Sequence, residues 1–336
     1  MTRTREIRFA KRPTGTPTKD CFDLVEVDLP DPGPGQVQVR NLWMSVDPYM
    51  RGRMNEVGPG YAANYQLGRP MGGRSVGEVV ASNAPSLKTG DFVFGDFGWR
   101  EAFTADAAEL RKLDLQGLPP EAFLGVAGMP GLTAYVGLLK IAALKPGDVV
   151  LVTAAAGAVG SVAAQIAKLK GHTVIGTAGG PAKVRYLLDE LGLDAAIDYR
   201  EHAGQLTEAF RAAAPDGIDV CFENVGAEHL EAAINLARPF ARFALCGAIS
   251  QYNNTAEPYG VRNVMMAIGK QVRLEGFIVG SYFDMTDEYL HELRGWIAEG
   301  KIKWRETVVE GLENAPDAFL GLFKGENLGK ALVKLA

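Results

Sequence analysis

Three small residues at fixed spacing, Ala155, Gly157 and Gly160, follow the apolar run Val149-Val150-Leu151-Val152. The pattern is a variant of Gly-x-Gly-x-x-Gly with alanine in first place. Its chemistry is anion binding. Gly157 would let the backbone approach a pyrophosphate, and Gly160 would let the next helix pack closely on the strand. The first N–H groups of that helix would then face the anion. A small-residue turn that merely packs a helix would show the same pattern. Here a strand reading enters and a helix reading leaves, so residues 149–160 read as the phosphate turn of a dinucleotide site.

The residues that follow bear on which dinucleotide. A site for an unphosphorylated adenosine ribose places Asp or Glu about 20 residues beyond the glycine turn. This chain has Gly176-Thr177-Ala178-Gly179-Gly180 there, and then Lys183. A 2′-phosphate would be repelled by a carboxylate and held by Lys183 and a helix N-terminus. The reading is NADP(H); the plain alternative for Lys183 is a solvated surface lysine.

Missing residues narrow the chemistry further. A catalytic zinc needs three protein ligands and an open position. The four histidines are His172, His202, His229 and His291, so the first third has none. The three cysteines, Cys21, Cys221 and Cys246, form no Cys-x-x-Cys pair. No metal site is expected, and zinc-dependent alcohol oxidation is disfavoured. The cysteine usage suits a reducing compartment, and a cytoplasmic protein is expected. The 336 residues carry a net charge of -5 with no long basic run, which makes nucleic acid and anionic membrane poor partners. No segment reads as a signal peptide or a transmembrane helix.

The elements that must position these residues fall into two kinds. The first third alternates short strand patterns, such as Val37-Gln38-Val39-Arg40, with turn clusters such as Pro32-Gly33-Pro34-Gly35. A partly open β-barrel is expected. Beyond it, strands over 149–153, 173–176, 195–198, 218–223, 242–246 and 272–279 alternate with helices over 161–170, 203–214 and 227–236, and Pro181 opens another. This is the signature of a parallel α/β sheet. The tail carries a helix over 286–299, a strand over 306–309, a helix over 315–324 and a strand over 330–335. It is expected to fold back onto the first domain. The expected domains are 1–122, 123–285 and a return segment, 286–336.

Taken together, these segments resemble a known family. Ser45-Val46-Asp47-Pro48-Tyr49-Met50-Arg51, the turn at 154–160, Glu223-Asn224-Val225-Gly226, the run 246–253, Glu275-Gly276-Phe277-Ile278-Val279 and Glu326-Asn327-Leu328-Gly329-Lys330 span nearly the whole chain. They are similar to the medium-chain dehydrogenase/reductase superfamily. Within it they resemble the branch of leukotriene B4 12-hydroxydehydrogenase, prostaglandin reductase, alkenal double-bond reductase and curcumin-reductase-like proteins. The resemblance implies a GroES-like catalytic domain beside a Rossmann-fold cofactor domain. It also implies NADPH-dependent, zinc-free reduction of α,β-unsaturated carbonyl compounds, and a homodimer formed by pairing sixth strands.

By resemblance, Ala156, Gly157, Ala158 and Val159 meet the pyrophosphate, with Gly160 behind them. Lys183 and Tyr199 surround the adenosine phosphate, and Asn224 lies near the ribose. Cys246, Gly247, Ala248, Ile249 and Ser250, with Phe277, Ile278, Val279 and Asn327, surround the nicotinamide end. Plainer roles stand beside these: Tyr199 and Asn327 as caps, Asn224 as a turn residue, and 277–279 as core strand. Hydride addition to the β-carbon of an enone leaves charge on the carbonyl oxygen, which calls for a donor. Tyr252, at the carboxyl edge after the fifth strand, is the first candidate, and Tyr49 the second; either could simply wall the pocket. Arg51 could orient substrate or pair with Asp47. Phe97, Trp99, Tyr65 and Tyr282 are expected as pocket aromatics. Competing readings are a quinone reductase on the same scaffold, a zinc alcohol dehydrogenase, and a non-catalytic NADPH-binding redox sensor.

Overall fold

The computed structural model describes residues 2–57 and 60–336. The chain divides into two compact units. Met1–Leu124, Glu306–Asn327 and Ala331–Ala336 form the first; Gly125–Arg305 and Leu328–Lys330 form the second.

The first unit is built on strands. β1 (Thr2–Phe9) and β2 (Phe22–Leu29) pair antiparallel along their full length. The central strand is β3 (Gln36–Ser45), followed by β4 (Ser75–Ser82), β5 (Phe92–Gly95), β6 (Ala102–Asp106) and β7 (Arg111–Lys112). In β3, Val37 and Val39 are fully buried while Arg40 is exposed, the period of two that a strand with one wet face requires. β3 pairs with β4 along one side, with register shifts at Gln38/Val39 and Asn41/Trp43. Extra residues of this kind bend a strand. Its other side is shared: Gln36 to Arg40 pair with β6, whereas Trp43 to Ser45 pair with the last strand of the chain. One bent strand therefore serves two neighbours, and the sheet curls toward the partly open barrel expected.

The second unit holds a six-stranded parallel sheet made of β8 (Val149–Val152), β9 (Thr173–Ala178), β10 (Ala195–Asp198), β11 (Ile218–Glu223), β12 (Ala237–Leu245) and β13 (Arg273–Gly276). Its order is β10-β9-β8-β11-β12-β13, with every neighbour parallel. This is the doubly wound Rossmann arrangement, in which the order reverses between the first and fourth strands and ligands bind outside the carboxyl ends there. Val150, Leu151, Val152, Val220 and Phe222 are fully buried, because helices cover both faces of such a sheet.

Two expectations need correction. The strand expected over 272–279 stops at Gly276, because its partner β12 stops at Leu245, opposite it. Phe277 N–H makes a last bond to the Leu245 carbonyl at 3.4 Å, and the chain then turns into a short 3₁₀ segment, Val279–Met285. The helix expected over 286–299 forms as Thr286–Ala298 but stays with the second unit. Tyr289 and Leu293, one turn apart, are fully buried. The Tyr289 ring packs 5.3 Å from that of Tyr135, and its hydroxyl donates to the Val126 carbonyl. The return therefore starts at β14 (Glu306–Glu310), passes through the helix Ala315–Lys324 and ends on β15 (Lys330–Lys334).

Candidate active site

The carboxyl ends of β8 to β13 carry the sequence-predicted cofactor residues, all but Asn327. At the end of β8 the backbone turns through Ala154, whose φ of 48° lies in the left-handed region. Thr177 fastens the turn, accepting Ala154 N–H on its hydroxyl at 3.3 Å and Ala155 N–H on its carbonyl at 2.8 Å. The two glycines of the motif do different work. A Cβ on Gly160 would sit 2.3 Å from the Ala154 carbonyl oxygen, so only glycine lets the Gly160–Leu169 helix start this close. A Cβ on Gly157 would meet only that oxygen, at 3.3 Å, and the space beyond it is open. Val159 caps the helix without a side-chain hydrogen bond, and of the first-turn N–H groups Ser161 N–H already donates to the Gly157 carbonyl at 3.0 Å. Ala156 is buried, and Ala158 and Val159 are half-buried. A contact the sequence did not suggest completes the turn: Gly329 N–H donates to the Ala156 carbonyl at 2.8 Å, and Gly157 bridges to Gly329. Asn327 lies two residues before that glycine.

At the end of β9 the chain leaves a cradle. A Cβ on Gly179 would lie 2.8 Å from both Arg200 Nε and the Tyr199 hydroxyl. Asp198 builds this corner by accepting Gly180 N–H at 2.9 Å and Arg200 N–H at 3.0 Å on one oxygen. Its carboxylate thus holds the backbone on both sides of the cradle. Lys183 follows, in the short helix Pro181–Arg185. Burial lowers its ammonium pKa, and the Arg200 charge lowers it further. The Arg200 guanidinium beside a glycine with no side chain, with Lys183 close enough to feel its charge, suits a phosphate dianion. Sequence reasoning named Lys183 and Tyr199 but passed over Arg200. The signal was available, since Arg200 follows Tyr199 directly at the end of a parallel strand. Tyr199 also packs edge-on to His229, with ring centroids 5.3 Å apart.

The ends of β11 and β12 are stitched into one platform. Asn224 donates its N–H to the Thr153 hydroxyl at 2.8 Å and its side-chain amide to the Thr153 carbonyl at 2.7 Å. Cys246 and Gly247 N–H both bond the Glu223 carbonyl, Ile249 N–H the Asn224 carbonyl, and Ser250 N–H and hydroxyl the Val225 carbonyl. Ala248 packs on Gly226, whose φ of 78° needs glycine. Burial, with Glu223 behind it, pushes the Cys246 thiol up to about 12, so it is no thiolate at neutral pH. Beyond β13, Phe277 and Val279 are buried while Ile278 is exposed. Phe277 packs edge-on to Phe222 at 6.4 Å, so its side chain serves the core.

The two candidate donors differ in setting. Tyr252 is half-buried and ends the 3₁₀ turn Ile249–Gln251. Tyr49 belongs to the first unit, where it precedes the helical turn Met50–Arg53 and packs against the core. Burial, then Asp47 and Asp96, holds the Tyr49 phenol well above its ordinary pKa, so it keeps its proton. Arg51 is buried and donates to the Gly15 carbonyl and to Asn55 Oδ1, bonds that tie down loops. Trp99 and Tyr65 are not pocket aromatics. Both lie in the first unit's core, Trp99 stacked on Phe22 at 5.5 Å and Tyr65 bonding the Gly72 carbonyl. Phe97 stacks on Phe103 at 4.3 Å. Among the described residues, no group of three or more His, Cys, Asp or Glu could hold a metal ion.

A strand-built unit carrying a buried tyrosine, and a Rossmann unit carrying a phosphate turn, define the two-unit dehydrogenase and reductase class. Residues 5–113 match the family described as the N-terminal domain of oxidoreductase, and residues 158–295 the family described as zinc-binding dehydrogenase. The chain is 45% identical over 334 residues to a putative NADP-dependent oxidoreductase of Bacillus subtilis, YfmJ, covering 99% of this chain and 98% of that one. It is 41% identical over 339 residues to the NADPH-dependent curcumin reductase of Escherichia coli, covering 99% and 97%. The crystal structure of CurA from Vibrio vulnificus in complex with NADPH superposes with a TM-score of 0.93 at 42% identity, covering 98% of each chain. The chain belongs to the medium-chain dehydrogenase/reductase superfamily, in its curcumin-reductase-like branch.

Proposed function

We propose that this protein is an NADPH-dependent reductase of the carbon–carbon double bond of α,β-unsaturated aldehydes and ketones. The observation that carries the cofactor is the Gly179 cradle, where Arg200, Tyr199 and Lys183 gather beside a phosphate turn. The substrate class rests on full-length likeness to a curcumin reductase.

When bound, the cofactor supplies a hydride for the β-carbon. The chain's own residues do the rest. The turn at 156–160 takes the pyrophosphate; Lys183, Tyr199 and Arg200 take the 2′-phosphate; Asn224 reads the ribose. The 246–250 loop, the backbone of 277–279 and Asn327 border the nicotinamide. As hydride adds, charge builds on the substrate carbonyl oxygen, and a tyrosine hydroxyl donates to it. Tyr252 is assigned this role, and Tyr49 is the second candidate for it.

The protein acts as a homodimer. β13 is an edge of the sheet, and Val264, Met265, Ile268 and Ile278 around it are exposed. An apolar edge of this kind invites pairing with a second copy. A cytoplasmic location is in keeping with its three free cysteines; among the described residues no helix is long and apolar enough to cross a membrane.

NADPH oxidation with a 2-alkenal, a cyclic enone, a curcuminoid and a benzoquinone, with NADH in parallel and chelator present, tests the reading. Chelator-resistant, NADPH-preferring turnover of the enones to saturated carbonyl products is expected. Turnover of quinone alone would make the protein a quinone reductase. Tight NADPH binding without turnover would make it a sensor.

A further inference from the structure

We propose that Glu223 is a positioning residue that sets the three cofactor loops of the second unit in register with one another. This rests on the placement of the cofactor on those loops proposed above.

Glu223 ends β11, at the point where the chain leaves the sheet, and only 1% of it is exposed. The loops after β8, β11 and β12 diverge around it, and it holds all three. Its Oε1 accepts the Thr153 hydroxyl at 3.0 Å, on the residue that precedes the phosphate turn. The same oxygen accepts Val225 and Gly226 N–H at 2.6 and 2.7 Å, within the ribose loop. Its main-chain carbonyl accepts Cys246 and Gly247 N–H at 2.9 and 3.1 Å, at the start of the third loop. Cys221 Sγ lies 3.7 Å from Oε2.

Thr153 passes the constraint on. Its hydroxyl gives its hydrogen to Glu223 and accepts Asn224 N–H, and its carbonyl takes the Asn224 amide. The Asn224 side chain is therefore oriented through a two-residue relay that starts at the carboxylate. Burial raises the Glu223 carboxyl pKa against the pull of these donors. A fully buried acid is an expensive way to fill a core position. Its place here is explained by geometry: one oxygen must accept three donors from two loops.

The test uses the full-length protein and NADPH binding followed by calorimetry, with thermal unfolding as the control for fold. Thr153→Val keeps shape but removes both hydroxyl bonds. It is expected to weaken NADPH binding by about 10-fold or more. KM for NADPH should rise in step while kcat at saturation stays within about threefold, the split of a lost positioning contact. Thr153→Ser restores the affinity. Glu223→Ala weakens binding, and Glu223→Gln, which keeps the accepting oxygen, recovers most of it. Wild-type affinity in Thr153→Val would overturn the relay. Glu223→Gln binding as poorly as Glu223→Ala would overturn it too, because charge and not geometry would then be at work. Gly157→Asp separates the two layers. If it abolishes binding while Thr153→Val does not change it, Glu223 loses its role alone. If Gly157→Asp leaves binding intact, the cofactor placement fails and the role of Glu223 with it.

Discussion

The hydroxyl of Tyr252 lies over Gly247: a Cβ on that glycine would stand 3.2 Å from it and 3.3 Å from the Asn224 carbonyl oxygen. The phenol is thus set against the loop proposed to border the nicotinamide, at the edge of the sheet where ligands bind. Tyr252→Phe is expected to lower kcat for enone reduction by about 10-fold or more, the lower end of the loss seen when an oxyanion donor is removed. Single-turnover rates measured at saturating NADPH decide it, and an unchanged rate removes Tyr252 from the chemistry.

Arg200 and Lys183 make a second case. Arg200→Ala should cut the kcat/KM preference for NADPH over NADH by about 10-fold, the scale of one lost charge-assisted hydrogen bond. Activity with NADH should hold steady. Lys183 adds a pH signature. Its pKa is lowered by burial and by Arg200, so it loses its charge at a lower pH than an ordinary lysine. Preference for NADPH should therefore fall as pH rises through that lowered value. A preference that is flat up to the ordinary lysine range would count against Lys183.

The two glycines of the turn should fail in different ways. Gly160→Ala drives a methyl to 2.3 Å from a backbone oxygen, and overpacking of this kind costs about 1–3 kcal/mol. A lower Tm is expected. Gly157→Ala meets nothing closer than 3.3 Å and should melt like wild type while binding NADPH more weakly. Equal losses of Tm in both variants would contradict this division.

Acid sensitivity should come in part from His229. It is buried beside Tyr199 and Phe210, and its Nε2 has no hydrogen-bond partner among the described residues. Burial lowers its pKa from 6.5 to about 4. Between those values the unfolded chain binds a proton that the folded chain does not, so stability is full above 6.5 and is lost as pH falls toward 4. The gap corresponds to something on the order of 3 kcal/mol. His229→Phe should flatten this slope in urea unfolding across the same range; parallel slopes would place the acid sensitivity elsewhere.

Much of the second unit was legible in its sequence. The strands at 195–198 and 218–223 and the helix at 227–236 fall where periodicity puts them, because each is an apolar run closed by turn residues; so does the helix at 315–324 of the first unit. The phosphate turn was legible for the same local reason. What escaped depends on partners distant in sequence. The end of β13 is set by β12, and the lodging of helix 286–298 by Tyr135 and Val126. Whether Trp99 faces a pocket or a core is decided by Phe22 and Phe319. Glu223 reads in sequence as a strand-end acid, and nothing local reveals its donor from Thr153, seventy residues away.

The bond from Gly329 N–H to the Ala156 carbonyl makes the phosphate turn depend on a residue more than 170 positions further along the chain. The last strand of the Rossmann sheet ends at Gly276, yet the residue that clips the turn, Gly329, comes more than fifty residues later. A nascent or truncated chain that stops before Gly329 can assemble its sheet while one wall of its phosphate turn is still missing.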